Sequence, residues 1–336
     1  MDSNIEIIAP ARHQGELVQF EEEQESVEDL LYEFLKDRSP TTAKSYRIDL
    51  KEFFAFTNKH FQRPRVEGKK VHFKDIKRVH VVKYKNVLEA AKTRFGKPYA
   101  PNTINRKISS VSSFFHFLRL REVVDKNPCE LCTRLKYQIV RETEALTDLE
   151  MKHLMELVIR KANPMHKAVL ITMFTTGMRN AEVRNIKPKD FKVHEGVRIL
   201  DYIGKGQKQS QVAIHPAAAH YIDEYMKWMA SKGRQIEPED YLFQPMKSAT
   251  GVVNKQKLSA TALGYIVKKW AKRVAPDKRI TPHSARSTFI SSLLNNGTDI
   301  YTVSKCVSHS SVRTTQRYDK RKRNFKKSPV FSLNFF

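Results

Sequence analysis

The sequence has no apolar run that approaches the roughly 18 residues needed to cross a membrane, and it opens without a signal-peptide pattern. Cysteine is scarce: three of the 336 residues are Cys, an odd number that argues against a disulfide framework. Cys129 and Cys132 form a single C-x-x-C, and zinc would need a second pair of ligands, which the sequence lacks. These absences exclude membrane-spanning and disulfide-stapled proteins and predict a reducing, cytoplasmic location without a bound metal.

Acidic residues are also few. The chain has 36 Asp and Glu against 61 Lys and Arg, which gives a formal net charge of +25 and a pI near 9.9. The first 40 residues hold eleven acidic and three basic residues, so the remaining chain has 25 acidic and 58 basic residues, a net charge of +33. Such a surface attracts a polyanion and loses that attraction as the salt concentration rises. Nucleic acid is therefore the predicted partner, with a membrane surface as the competing one.

Helical periodicity dominates the first third of the chain. Ser39 suits a helix N-cap and Pro40 the first helical position, and Pro101 begins another helix in the same way. Predicted helices cover residues 21–37, a segment from Pro40, residues 77–93 and a segment from Pro101. Four helices with short links form a small helical domain.

The second half of the chain mixes two periodicities. Thr147 and Glu150 form a capping-box pattern before a long helical stretch. Between residues 191 and 214 apolar residues alternate with a period of two, which predicts an antiparallel β-hairpin whose turn carries Lys205 and Lys208. Further helices are predicted at residues 216–231 and 259–274.

The predicted fold class is therefore a two-domain, mainly α protein. A four-helix domain precedes a mixed α/β domain that is mostly helical and contains a small antiparallel hairpin or sheet. The predicted segments are an N-terminal extension at 1–24, the helical domain at 25–122, an interdomain linker at 123–145, the second domain at 146–320 and a basic, then apolar, tail at 321–336.

One set of residues points to chemistry. His283 and Arg286 are three apart at the start of a helical run, so their side chains share one face and can reach a common anion. His309 and Tyr318 follow, and Arg179 lies upstream just beyond a predicted helix end. Arginine donates paired hydrogen bonds to phosphate oxygens, and a tyrosine oxygen can form a covalent intermediate. Together these residue types suit the attack of a phenol on a phosphodiester.

The order and spacing of Arg179, Lys205 in GKGQK, His283-Ser-Ala-Arg286, His309 and Tyr318 resemble the tyrosine recombinases, also called phage-type integrases. The similarity extends over residues 25–320. It implies that Tyr318 attacks the scissile phosphorus to give a 3′-phosphotyrosine, with no metal, ATP or other cofactor.

The resemblance also implies roles for the other residues of the site. Arg179 and Arg286 neutralise the non-bridging oxygens, and His283 is the general base for the phenol. Lys205 protonates the departing 5′ oxygen, and His309 donates a further hydrogen bond to the phosphate. Two supporting residues are expected, Glu182 to orient Arg179 and Lys208 to contact the DNA backbone; Lys208 is also the rival of Lys205 for the role of acid.

For the helical domain, the resemblance implies that the second and fourth helices meet the DNA major groove. The matching positions are Lys44, Arg47, Asn102, Asn105, Arg106 and Lys107; an ordinary solvated basic face is the alternative for each. Two departures from the family pattern are Val307-Ser308, where Leu-Gly is common before the second histidine, and Ser287, where a histidine often follows the second arginine.

The implied partners are double-stranded DNA at a specific recombination site and further copies of the chain, four in a synapse, in a nucleoid-associated setting. Integration or excision of a mobile element and resolution of DNA multimers both remain open, as does an accessory protein. A type IB topoisomerase would use nearly the same chemistry, and a non-catalytic DNA-binding protein would explain the charge alone. The DNA sequence recognised cannot be predicted from these residues.

Overall fold

The computed structural model describes residues 27–60, 73–93, 96–136, 143–204, 206–246 and 255–319. The chain divides into two compact units, residues Met1–Val140 and Arg141–Phe336. Lys205, the predicted N-terminal extension and the predicted tail lie outside the described residues. None of the described helices is both long enough and apolar enough to pass through a membrane.

The first unit is helical in its described part. Two of its helices begin at Pro40 and Pro101, as the sequence predicts, and a third begins one residue after the predicted start at 77; the predicted start of the first helix, at residue 21, lies outside the described residues. The helices are α1 (Val27–Lys36), α2 (Pro40–His60), α3 (Arg78–Ala90) and α4 (Pro101–Leu120). Phe53, Phe114 and Phe115 are fully buried where α2, α3 and α4 meet. Aromatic rings thus fill this small core, in which each ring buries a large apolar area.

The segment after α4 packs on the first unit. Val124 and Cys129 are buried in its core, and Cys132 and Leu135 lie against it. Burial raises the pKa of the Cys129 thiol to about 12, which suits a packed thiol rather than a reactive one. The structure therefore places the end of this unit later than the predicted start of the linker at residue 123. In the described part of the chain no cluster of His, Cys, Asp and Glu could hold a metal ion.

The second unit surrounds one buried helix. Its helices are α5 (Asp148–Lys161), α6 (Pro164–Thr176), α7 (Asn180–Asn185), α8 (Pro216–Ser231), α9 (Ala260–Ala271), α10 (Pro282–Asn295), α11 (Ile300–Cys306) and α12 (Val312–Gln316). The predicted capping box is present: Thr147 Oγ1 accepts from the Glu150 backbone N–H, and the Glu150 carboxylate accepts from the Thr147 N–H at 2.7 Å. Helix α6 is apolar on all sides because α5, α8, α9 and α10 pack around it.

A three-stranded antiparallel sheet, ordered β1-β2-β3, lies in this unit: β1 (Phe191–His194), β2 (Val197–Ile203) and β3 (Gln209–Ala213). The sequence predicts only the hairpin of β2 and β3, so β1 is an additional strand. It joins β2 through Glu195 and Gly196, whose φ values of 50° and 77° fit a tight hairpin turn. Tyr202 pairs with Ser210 across β2 and β3.

A second, smaller apolar cluster lies between α10 and α11, beside the main core of the second unit. Ile290, Leu294, Val303 and Val307 are buried in it, and Tyr318 packs against it. The end of α11 and the segment after α12 are therefore held beside α10. This arrangement brings together residues that are up to 35 positions apart in the sequence.

Candidate active site

Helix α10 begins where its sequence dictates. Thr281 is the N-cap, and its side chain accepts from the Ser284 backbone N–H. Pro282 follows at the first helical position, where its missing N–H costs nothing. His283 and Arg286 consequently lie in the first two turns and on one face of the helix. His283 is exposed, whereas Arg286 is 2% exposed.

The buried guanidinium of Arg286 binds backbone oxygens. Its Nη1 donates to the Gly177 carbonyl at 2.8 Å and its Nη2 to the Val307 carbonyl at 2.5 Å. Among the described residues no carboxylate forms an ion pair with it. Burial, and then the nearby charge of Arg179, lower its pKa from the ordinary value of 12.5. Carbonyl oxygens orient the group but leave its positive charge available to an anion.

Gly177 has the conformation that only glycine adopts at low cost. It ends α6 with φ 63°, in the left-handed region. A Cβ atom at this position would lie 2.4 Å from Cδ1 of Phe289. The helix end therefore turns sharply against α10, and this turn directs the Gly177 carbonyl to Arg286.

Arg179 caps α7 and is held by a buried carboxylate. The Glu182 Oε2 atom accepts from the Arg179 backbone N–H at 2.7 Å, and Oε1 accepts from Arg179 Nη1 at 2.8 Å. The Glu182 side chain is 4% exposed and that of Arg179 is 31% exposed. The contact that the three-residue spacing predicts is thus present, and it leaves other donors of Arg179 exposed to solvent.

Tyr318 lies between two histidines. Its hydroxyl is 3.4 Å from Nε2 of His283, and its ring stacks on that of His309 with centroids 6.1 Å apart and an interplanar angle of 16°. The Tyr318 carbonyl accepts from Ser291 Oγ at 3.3 Å, so α10 also holds its backbone. His309 is held in turn by Thr315, whose Oγ1 is 2.9 Å from Nδ1.

Burial and the nearby arginine charges lower the pKa of both histidines and so favour their neutral forms. Burial, followed by the charges of Arg286 and Arg179, lowers the pKa of His309 to about 4. Partial desolvation and the same two arginines also lower the pKa of His283. A neutral imidazole at His283 can accept a proton from the Tyr318 hydroxyl, whereas an imidazolium could not.

The residue before His309 adopts an unusual backbone conformation. Ser308 has φ 51°, and its Oγ is 3.1 Å from the Tyr202 hydroxyl. Sequence reasoning missed Tyr202; the available signal was Ser308 itself, a serine where the related family often has glycine. The hairpin end is also ordered by the Gly204 N–H, which donates to the Lys208 carbonyl at 2.8 Å. The Lys208 side chain is exposed.

The predicted DNA contacts of the first unit divide into two groups. Lys44, Arg47 and Asn102 are exposed on α2 and α4. Asn105 is engaged by the chain itself, because its amide donates to the Leu135 carbonyl and accepts from the Leu135 N–H, both at 2.9 Å. The structure therefore separates the exposed positions from one that holds the segment after α4.

Arg106 and Lys107 both bind carboxylates of α2. Asp49, which is 1% exposed, accepts both Nη atoms of Arg106 and the hydroxyl of Ser110. Lys107 is 5% exposed, and its ammonium donates to Glu52 at 2.5 Å and lies 3.6 Å from Asp49. This arrangement favours a structural role for Lys107, whereas the Arg106 side chain remains 46% exposed.

Comparison with known families assigns both units. Residues 144–324 match the family described as "Phage integrase family", and residues 29–122 match "Phage integrase, N-terminal SAM-like domain". A tyrosine recombinase of Pseudothermotoga lettingae is 29% identical over 281 residues, which is 83% of this chain and 87% of the relative. Tyrosine recombinase XerC of Staphylococcus epidermidis is 28% identical over 283 residues, 83% of this chain and 86% of the relative.

Solved structures share the fold. XerH site-specific recombinase bound to difH substrate has a TM-score of 0.60 at 18% identity, covering 84% of this chain and 77% of that one. A lambda integrase dimer bound to a COC′ core site has a TM-score of 0.60 at 14% identity, covering 89% of this chain and 98% of that one. The resemblance and the fold class predicted from the sequence are thereby confirmed.

Proposed function

This chain belongs to the phage integrase family and is a tyrosine-type, site-specific DNA recombinase; from that premise we propose that Tyr318 cleaves one DNA strand through a 3′-phosphotyrosine intermediate. The observation that carries the proposal is the position of the Tyr318 hydroxyl, 3.4 Å from His283 Nε2 on the helix that also bears Arg286. A nucleophile, a neutral base and a cation thus lie together.

In the cleavage step, the Tyr318 oxygen forms a bond to the scissile phosphorus and its proton passes to His283. The bond between phosphorus and the 5′ oxygen breaks, and that oxygen takes a proton from Lys205. Arg286 and Arg179 stabilise the negative charge on the non-bridging oxygens, where positioned cations contribute most to rate. His309 donates a hydrogen bond to the phosphate through its Nε2, in the tautomer whose Nδ1 accepts from the Thr315 hydroxyl.

The phosphotyrosine retains the energy of the broken bond, so a 5′ hydroxyl from another strand can reverse the step without ATP or metal. Because one tyrosine cleaves one strand, exchange of two duplexes requires four protomers on the DNA. Similar structures contain DNA substrates or a core site, which supports double-stranded DNA at a specific site as the partner. The reaction would serve integration and excision of a mobile element or resolution of DNA multimers.

In the first unit we assign DNA contact to the exposed side chains of Lys44, Arg47 and Asn102. The exposed part of the Arg106 side chain is a further contact. Asn105 and Lys107 act indirectly by holding the segment after α4 and by joining α4 to α2. Lys208, exposed at the hairpin end, contacts the DNA backbone. Neutralising phosphates with several such cations makes the affinity fall steeply with salt.

The test uses a nicked suicide substrate carrying a cognate site. After cleavage the short fragment with the freed 5′ hydroxyl diffuses away, so the covalent adduct cannot be reversed and accumulates. Tyr318→Phe should bind this DNA as the parent does and form no covalent adduct. Tyr301→Phe is the matched control, because Tyr301 is 65% exposed on α11. An adduct that survives in Tyr318→Phe would remove Tyr318 from its role.

A second experiment assigns the acid. A substrate with sulfur in place of the bridging 5′ oxygen has a leaving group that needs no proton, so it should restore cleavage to Lys205→Ala. Lys208→Ala should be affected little with either substrate, and rescue of Lys208→Ala instead would reverse the assignment. Relaxation of any supercoiled plasmid by single protomers would favour a topoisomerase-like reaction.

A further inference from the structure

Ser308 lies between two residues that the site needs. The preceding residue, Val307, supplies a carbonyl to Arg286, and the following residue is His309. Helix α11 ends here: the Ser308 N–H donates to the Lys305 carbonyl at 2.9 Å and the His309 N–H to the Ser304 carbonyl at 3.0 Å. Glycine is the usual residue for a left-handed helix end because it has no Cβ. A serine with φ 51° is strained at this position, so a contact of its side chain helps to hold the conformation.

This contact comes from the sheet. Ser308 Oγ is 3.1 Å from the hydroxyl of Tyr202, which is 106 residues away in the sequence. Tyr202 is fixed within the hairpin, because it pairs with Ser210 on β3 and its ring faces the Gly204 backbone; a Cβ atom at Gly204 would lie 3.8 Å from the ring. In sequence Tyr202 precedes Lys205 by three positions.

We propose that Tyr202 and Ser308 form a positioning pair that fixes the hairpin carrying Lys205 relative to the His309 loop and Arg286. The inference rests on the proposed strand-cleavage function. A leaving-group acid must lie within hydrogen-bond reach of its oxygen while cations hold the same phosphate. The Tyr202 hydroxyl joins the end of β2 to the loop that presents His309.

The experiment measures single-turnover cleavage at saturating DNA in four proteins: the parent, Tyr202→Phe, Ser308→Gly and the double variant. Tyr202→Phe removes one hydroxyl and keeps the ring. Ser308→Gly removes the whole hydroxymethyl group, and glycine adopts the left-handed conformation of this position readily. Loss of one neutral hydrogen bond should slow cleavage about 5-fold in either single variant. The double variant should be no slower than the singles, because both remove the same contact. Multiplied losses, or full rates in both singles, would overturn the proposal.

The bridging sulfur substrate separates positioning from general damage to the fold. Cleavage of this substrate should proceed at the parental rate in Tyr202→Phe and Ser308→Gly, since the leaving group then needs no acid. A loss that persists on the sulfur substrate contradicts the assignment. The affinity for the uncleaved site should not change. Tyr265→Phe is the control, because Tyr265 is 62% exposed on α9.

Hydrogen exchange tests the contact without any cleavage. Tyr202→Phe should increase deuterium uptake in peptides that cover residues 304–310, and Ser308→Gly should increase uptake in peptides that cover β2 and β3. Unchanged uptake in both variants would overturn the pairing. If the parent and Tyr265→Phe both form no adduct on a cognate site, the proposed function has failed, while the exchange data still decide whether the pair exists.

Discussion

In the first unit the buried ammonium of Lys107 lies among carboxylates, whereas in the second unit the buried guanidinium of Arg286 lies among carbonyl oxygens. Lys107 has Glu52 and Asp49 as partners, so its charge is neutralised within the protein. Arg286 is oriented as firmly, yet in the described part of the chain it has no ion-pair partner. A buried charge without a counter-charge is costly.

The two buried cations serve different purposes. The carboxylates of α2 join it to α4 and satisfy the cations, which favours a fixed helix pair but consumes the charges. The carbonyls of Gly177 and Val307 hold a cation that, in the proposed mechanism, binds the phosphodiester. In that mechanism the cost of burying this charge is offset when DNA binds and when negative charge grows in the transition state.

The largest expected effect compares the two buried cations directly. Arg286→Ala should reduce the single-turnover cleavage rate by about 100-fold to 1,000-fold, the usual loss when one charge-stabilising donor is removed. Lys107→Met should leave cleavage at saturating DNA unchanged and lower the free energy of unfolding by about 1–3 kcal/mol, because its partners lose a donor. The measurements are suicide-substrate kinetics and urea unfolding. Equal losses of cleavage rate in both variants would show that Arg286 and Lys107 do not differ in function.

A second prediction concerns the carbonyl that orients Arg286. Gly177→Ala should cost about 1–2 kcal/mol for the left-handed conformation and about 1–3 kcal/mol for overlap with Phe289. It should also slow cleavage, because the displaced carbonyl no longer holds Arg286. Gly233→Ala is the matched control: Gly233 has φ 70° with open space around its Cβ position, so only the conformational cost applies and cleavage is unaffected. Thermal unfolding measures the stability of each variant, and adduct formation measures its cleavage. Undiminished cleavage by Gly177→Ala would count against the role of the Gly177 carbonyl.

The third prediction uses pH and two histidines that share a low pKa. In the folded protein the pKa of His309 and that of His166 are both about 4, below the ordinary value of 6.5. As pH falls, each histidine is therefore protonated in the unfolded chain at a higher pH than in the folded protein. Its contribution to the free energy of unfolding is complete above pH 6.5 and is lost as pH falls toward 4. His309→Gln and His166→Gln should each reduce the loss of unfolding free energy between pH 6.5 and pH 4, measured by urea unfolding at a series of pH values.

Cleavage at pH 7 separates the same two histidines. His166 accepts from Trp270 Nε1 at 3.1 Å and has a packing role, so only His309→Gln should slow cleavage. A substantial loss of cleavage in a stable His166→Gln protein would show that the two positions are not distinct.

The smallest expected effect sharpens the comparison within the first unit. Lys44→Ala should lower the magnitude of the slope of log affinity against log salt by about 1, the change expected for one lost phosphate contact. Lys107→Met should leave this slope unchanged, because its ammonium is satisfied by Glu52. Fluorescence anisotropy titrations at several salt concentrations measure the slope. An equal change of slope in Lys44→Ala and Lys107→Met would indicate that Lys107 contacts a DNA phosphate.

Local signals predicted much of this protein. Pro40, Pro101 and Thr147 begin or cap helices as expected, and the spacing of Arg179 and Glu182 anticipates their contact. Strand β1 was not predicted although Glu195-Gly196 is a turn signal, because a single hairpin already accounts for the alternation around Lys205. Local cues act within a few residues, so they predict starts, turns and short-range pairs.

Tertiary partners could not be predicted in the same way. Whether Lys107 faces DNA or the interior depends on Asp49 and Glu52, more than 50 positions away. The carbonyls that hold Arg286 carry no side-chain signal at all, since any residue supplies a carbonyl. The contact of Tyr202 with Ser308 spans 106 positions. Sequence periodicity assigns faces to helices, but it does not identify the groups that those faces meet.

Because no carboxylate among the described residues pairs with Arg286, we expect the DNA-free protein to bind inorganic anions there. Sulfate or phosphate should take the place of the scissile group, with Arg286 and Arg179 as its donors. At about 100 times its dissociation constant, such an anion would raise the free energy of unfolding by about 2.7 kcal/mol. The same anion would compete with DNA. We therefore expect a sulfate or phosphate buffer to stabilise the protein during storage and to inhibit cleavage in an assay.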